Sequence, residues 1–120
     1  MTRIPPRQRV ADIVAELPDA SCVGDDHLTF AVRKKTFGYF LDDHHGDGIV
    51  GLALKAATGE QDSLIRSDPD RFYVPAYLGA RGWVGVRLDV GEVDWAEIRE
   101  LITDAYRLQA PRRLVALLDG

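Results

Sequence analysis

The sequence predicts an α+β domain, with a single antiparallel β-sheet meander flanked by N-terminal and C-terminal helices whose apolar stripes cover one face. Three observations lead there. Apolar residues recur at helical spacing near both ends of the chain. The period switches to two between Leu28 and Leu54, and again from Val84 to Leu88. The connections between these alternating runs are short, which suits hairpins and leaves no room for the crossovers that parallel strands need.

The first helix spans Pro6 to Leu17. Val10, Ile13, Val14 and Leu17 fall on one face, prolines open it and Pro18 closes it. Leu28, Phe30 and Val32 then alternate with Thr29, Ala31 and Arg33. After a basic turn at Lys34-Lys35 the alternation resumes, with Phe37, Tyr39 and Leu41 set against Gly38, Phe40 and Asp42. Asp43 to Gly48 is dense in turn-forming residues, and Val50, Leu52 and Leu54 make the next strand. Thr58 with Gln61 resembles a capping box that opens a short helix through Leu64 and Ile65. Phe72–Tyr77 and Trp83–Asp89 read as two more strands, the first confined to an edge by Pro75. Asp94 caps the long C-terminal helix, whose stripe is Ile98, Leu101, Ile102, Ala105 and Leu108. Pro111 interrupts it, and Arg112 to Leu118 forms a last helix packing through Leu114, Leu117 and Leu118.

This pattern assigns faces. The covered face is expected to hold Phe30, Val32, Tyr39, Val50, Leu52, Val84 and Val86, packed against Val10, Ile13, Ile98, Leu101 and Ile102 of the helices. The open face is expected to hold Thr29, Ala31, Arg33, Gly38, Phe40, Gly51, Ala53, Lys55, Tyr73, Trp83, Gly85 and Arg87. Small residues in the middle with aromatic and basic groups around them imply a shallow groove.

At 120 residues, with no linker, repeat or low-complexity tract, residues 1–120 are expected to be one domain with its own core. Cys22 is the lone cysteine, so no internal disulfide can form and a reducing cytoplasm is the expected location. Met1 to Val10 has no apolar h-region, and no run is long enough to span a membrane. Nineteen acidic against fifteen basic residues lower the expectation of nucleic-acid binding, although a local basic patch can dominate a mildly acidic whole.

Two candidate surfaces follow. Arg33, Lys34 and Lys35 at a protruding hairpin, extended by Lys55, Arg81 and Arg87, form a track that can reach phosphates; the alternative is a solvated turn, since lysines blunt sheet edges. Phe40, Tyr73, Trp83 and Arg87 lie on the open face, where Trp83 and Arg87 could bind a protein partner, a base or a small planar ligand; the alternative is that a helix or loop covers Trp83. His44 and His45 among Asp42, Asp43 and Asp47 invite a metal reading. Adjacent residues on an extended strand point to opposite faces, so a polar loop is the expectation and no metal site is assigned. Cys22, Ser63, Ser67 and His27 have no partner at a diagnostic spacing, and no Gly-rich phosphate loop precedes a helix. Neither catalysis nor a cofactor is expected.

A wider pattern carries a resemblance. It begins Phe30-x-Val32-Arg33-x-Lys35-x-Phe37, followed by Lys55 and Asp68-Pro69-x-Arg71-Phe72. Pro75-x-Tyr77-Leu78-Gly79, Gly82-Trp83-Val84-x-Val86-Arg87-Leu88, Asp94-Trp95, Ala105-Tyr106-Arg107 and Ala110-Pro111 complete it. This ordered set resembles the MmcQ/YjbR family of small bacterial proteins from about Arg9 to Leu114. The resemblance implies a fold like that of frataxin and CyaY, and DNA binding through a double-wing arrangement of hairpins. Where the family pattern often has Gly between Arg33 and Lys35, this chain has Lys34, which adds charge to that wing. The expectation is therefore a non-enzymatic cytoplasmic DNA-binding protein, with a protein- or small-ligand-binding module as the alternative.

Overall fold

The computed structural model describes residues 4–43 and 46–119. Helix α1 (Pro6–Ala15) leads into strands β1 (Ala20–Val23), β2 (Leu28–Val32), β3 (Lys35–Asp42) and β4 (Val50–Leu54). Helix α2 (Glu60–Ser67), strand β5 (Phe72–Tyr73), a 3₁₀ turn (Gly79–Arg81), strand β6 (Val84–Arg87) and helices α3 (Trp95–Gln109) and α4 (Arg112–Asp119) follow. The six strands form one sheet in the order β1-β2-β3-β4-β6-β5, every neighbouring pair antiparallel. This is the antiparallel α+β sheet expected, a meander from β1 to β4 with β6 lying between β4 and the edge strand β5. The one added strand, β1, lies at the other edge in Ala20-Ser21-Cys22-Val23, too short a stretch to show alternation. The expected strand over Phe72–Tyr77 is limited to its first two residues, because Pro75 lacks the N–H needed to continue the ladder. No helix among the described residues is long and apolar enough to cross a membrane.

The core lies between the sheet and helices α1 and α3. Val10, Ile13 and Val14 of α1 and Ile98, Ile102, Ala105 and Tyr106 of α3 bury against Phe30, Val32, Leu52, Leu54, Val84 and Val86. Val50 and Leu101 pack at its margin. Helix α3 starts where Asp94 accepts hydrogen bonds from the backbone N–H groups of Ala96 and Glu97, as a capping aspartate should. Its Tyr106 is fully buried: the hydroxyl donates to the Pro18 carbonyl at 2.6 Å, and the ring meets Phe37 edge to face at 5.7 Å. Helix α4 buries Leu114, whereas Leu117 and, on α3, Leu108 are exposed, contrary to the expected stripes. Pro111 redirects the chain, so the apolar period does not run on through both helices.

A bulge in β3 reverses part of the expected facing. Phe30 pairs with Gly38 but Ala31 pairs with Thr36, leaving Phe37 as the extra residue. Phe37 and Phe40 therefore both reach the core, and Gly38 turns toward Phe30 and Leu54. Tyr39 goes to the opposite face. Strict alternation had put Tyr39 in the core and Gly38 and Phe40 outside; one inserted residue reverses all three.

The β2–β3 hairpin closes through Arg33 and Lys34, with φ of +50° and +68°. Two left-handed residues in a two-residue loop suit the right-handed twist of the flanking strands, and Gly is the usual choice there. A side chain in that conformation costs roughly 1–2 kcal/mol, partly offset by the lower chain entropy it brings. Lys34→Gly should accordingly raise stability by about 1 kcal/mol in denaturant unfolding. A loss of stability would show that the lysine side chain holds the turn.

Candidate nucleic-acid interface

The sheet register sorts the charges to two ends. The β2–β3 turn carries Arg33, Lys34 and Lys35, and Lys55 follows the last residue of β4, its N–H bonded to the Phe37 carbonyl. Arg81 and Trp83 precede Val84, which pairs with Leu54, so they join the same end. The end of α3 reaches it too, since the Gln109 side-chain amide donates to the Thr36 carbonyl at 3.0 Å. Arg112 and Arg113 open α4 just beyond.

At the other end lie the β1–β2 loop with Asp25 and Asp26, Asp42 at the end of β3, the β3–β4 loop with Asp43 and Asp47, and Asp89 after β6. A hydrogen bond of 2.9 Å between His27 Nε2 and the Asp42 carbonyl joins the first two loops. The excess negative charge of the whole chain thus includes an acidic end well separated from the basic one.

Within the basic end the cations differ in availability. Arg33 is ion-paired with Asp19. Among the described residues, Lys34, Lys35, Lys55, Arg81, Arg112 and Arg113 have no carboxylate within ion-pairing distance. Arg87 does not belong with them. It lies at the acidic end and grips Asp89 with two hydrogen bonds, of 2.9 and 3.2 Å. Asp89 also accepts from the Val50 N–H. The hydrogen bond from Arg87 is the main reason the Asp89 carboxyl sits below its usual pKa.

The open face departs further from expectation. Phe40 is a core residue, 3% exposed. Trp83 points away from the main core yet is only 5% exposed, its ring packed on Tyr39 with centroids 5.9 Å apart. Tyr73 lies flat over Gly85, where any Cβ would fall 2.5–2.6 Å from three of its ring carbons. Burial, with Asp47 and Asp89 nearby, pushes the Tyr73 phenol up. The predicted set of Phe40, Tyr73, Trp83 and Arg87 is therefore not an open groove: the small glycines are filled by the tyrosine ring, and Arg87 is held by Asp89.

What remains open at this face is a cavity of about 370 Å³ at the basic end, lined by Thr36, Tyr39, Lys55, Arg81, Trp83 and Gln109. Gln61 shapes its wall. Its side-chain amide donates to the carbonyls of Gly79 (2.9 Å) and Trp83 (2.6 Å), fixing the segment that carries Arg81. The expected capping box is thereby overturned, because Gly59 occupies the N-cap of α2 with no side-chain cap and Gln61 faces the sheet.

Other parts of the sequence motifs are structural. Arg71 ties Asp68, at the end of α2, to Glu97 in the first turn of α3, with its guanidinium over the Phe72 ring. The sequence reading took Gln61 for a helix cap and gave Gln109, Arg112 and Arg113 no part in a site. A lone glutamine such as Gln109 carries no spacing signal, and the two arginines gain meaning only once Gln109 is seen to reach Thr36. Tyr39 was noticed but placed on the wrong face. His44 and His45 lie outside the described residues. Among the described ones, no group of three or more His, Cys, Asp or Glu is arranged to hold a metal ion. Burial pushes the Cys22 thiol up, away from a reactive thiolate.

A six-stranded antiparallel sheet backed by terminal helices, with a charged hairpin at one end, defines the class of fold. The YjbR family model matches residues 15–108, and the chain belongs to that family. A solved structure, the Deinococcus radiodurans protein DR2400, whose matching domain is described as DUF419, superposes with a TM-score of 0.67. It is 24% identical, over 82% of this chain and 74% of that one. No curated protein matches the chain significantly.

Proposed function

We propose that this protein is a non-enzymatic binding protein that takes DNA at the basic end of its sheet. Lys34 and Lys35 of the β2–β3 wing, with Lys55 and Arg81, make the phosphate contacts. The observation that supports this reading is the gathering of cations without carboxylate partners at one end, remote from the acidic loops. Such cations can displace condensed counterions without first breaking an ion pair. Arg33, held by Asp19, acts as a brace for the wing, and Arg87 takes no part.

The test is the salt dependence of DNA affinity, followed by fluorescence anisotropy. Four phosphate contacts give a slope of log K against log salt of about −3, at 0.7–0.9 per contact. A slope near zero would assign the surface to a ligand held by its rings rather than by charge.

A further inference from the structure

We infer that the cavity beside Tyr39 and Trp83 holds one unpaired nucleotide, so that the ligand of the basic end is single-stranded nucleic acid. This rests on the nucleic-acid reading above and goes beyond it in naming the state of the strand.

The inference starts from the lining. Lys55 and Arg81 supply two cations without carboxylate partners, and Tyr39, half-buried and backed by the buried Trp83, supplies one ring. A charge to hold a phosphate beside a ring to receive a base is the combination by which single strands are bound without regard to sequence. Duplex DNA has little use for it. Its phosphates lie on the outside of the helix within reach of surface cations, while its bases stay stacked and cannot reach a recessed ring unless they are flipped out. The cavity, about 370 Å³ and open to solvent on one side, has room for a base against the Tyr39 ring.

The walls are also fixed before any ligand arrives. Gln61 holds the Arg81 segment through two carbonyls, Gln109 holds Thr36, and Trp83 is buried behind Tyr39. Little ordering is left to oppose binding. Lys34 and Lys35, on the turn next to Thr36, are placed for phosphates on the flanking nucleotides.

The experiment measures anisotropy of a labelled oligo-dT and of a blunt duplex against the full chain, with free thymidine monophosphate as competitor. Oligo-dT should bind at least about tenfold more tightly than the duplex, the usual effect of one stacked base. Tyr39→Leu should erase most of that preference while leaving duplex affinity unchanged, and free nucleotide should compete only at far higher concentration. Should Tyr39→Leu melt early, Trp83 fluorescence in a Trp95→Phe background serves instead: oligo-dT should change it and the duplex should not, and an equal change with both would overturn the cavity inference.

Equal binding of both forms, indifferent to Tyr39→Leu but weakened by Lys34→Glu with Lys35→Glu, would overturn the cavity inference and leave the basic-end reading standing. Binding of neither form would overturn both. Free nucleotide competing as well as the oligomer would overturn the strand and make a small nucleotide the ligand.

Discussion

Trp83→Ala should lose about 3–5 kcal/mol in denaturant unfolding, the cost of truncating a buried aromatic side chain. Trp83, just before β6 rather than in it as the sequence suggests, turns to the side of the sheet opposite Val84 and Val86, which sequence alternation alone marks as solvent-facing. The structure closes that side. The ring is 5% exposed, packs on Tyr39, and its carbonyl is held by Gln61. Removing it takes away the support behind Tyr39 and empties one wall of the cavity. A loss under about 1 kcal/mol would mean that the ring is not packed as described and that the cavity wall is soft.

Phe40→Ala should cost a similar 3–5 kcal/mol or so, while Tyr39→Ala should cost nearer 1 kcal/mol. The contrast comes from the β3 bulge, which sends Phe40 into the core opposite Leu28 and Leu52 and leaves Tyr39 half-buried on the far face. Thermal or denaturant melts of the two variants report the register directly. A larger loss for Tyr39→Ala would restore unbroken alternation and remove the aromatic lining from the cavity.

Most of the architecture was legible because it rests on periodicity. The stripes of α1 and α3, the alternation in β2 and β4 and the Asp94 cap all carry their cause in neighbouring residues. The misreadings have a shared origin in contacts distant along the chain. The bulge at Phe37 depends on how β3 pairs with β2, and nothing in the composition of Thr36-Phe37-Gly38 announces it. Trp83 is buried by Tyr39 from another strand, and Gln61 bonds carbonyls of the segment before β6 rather than the end of its own helix.

The candidate site divides in the same way. Lys34 and Lys35 are visible in sequence because a hairpin tip is a local feature. Their grouping with Lys55 and Arg81, and the exclusion of Arg87, follow from strand order. The overall charge is silent on this grouping: a sum over the chain has no direction, whereas the fold gives it one.

Charge reversal at the two ends tests most directly whether binding is located at the basic end. Lys34→Glu with Lys35→Glu should lower affinity for a labelled oligonucleotide at least about tenfold near 0.1 M salt, as lost phosphate contacts do. Asp25→Lys with Asp26→Lys, at the opposite end, changes the net charge by as much in the other direction. It should shift affinity by no more than about twofold, since charges farther than a Debye length of ~10 Å are screened. Opposite shifts of equal size in the two variants would contradict a located site and leave only a response to net charge.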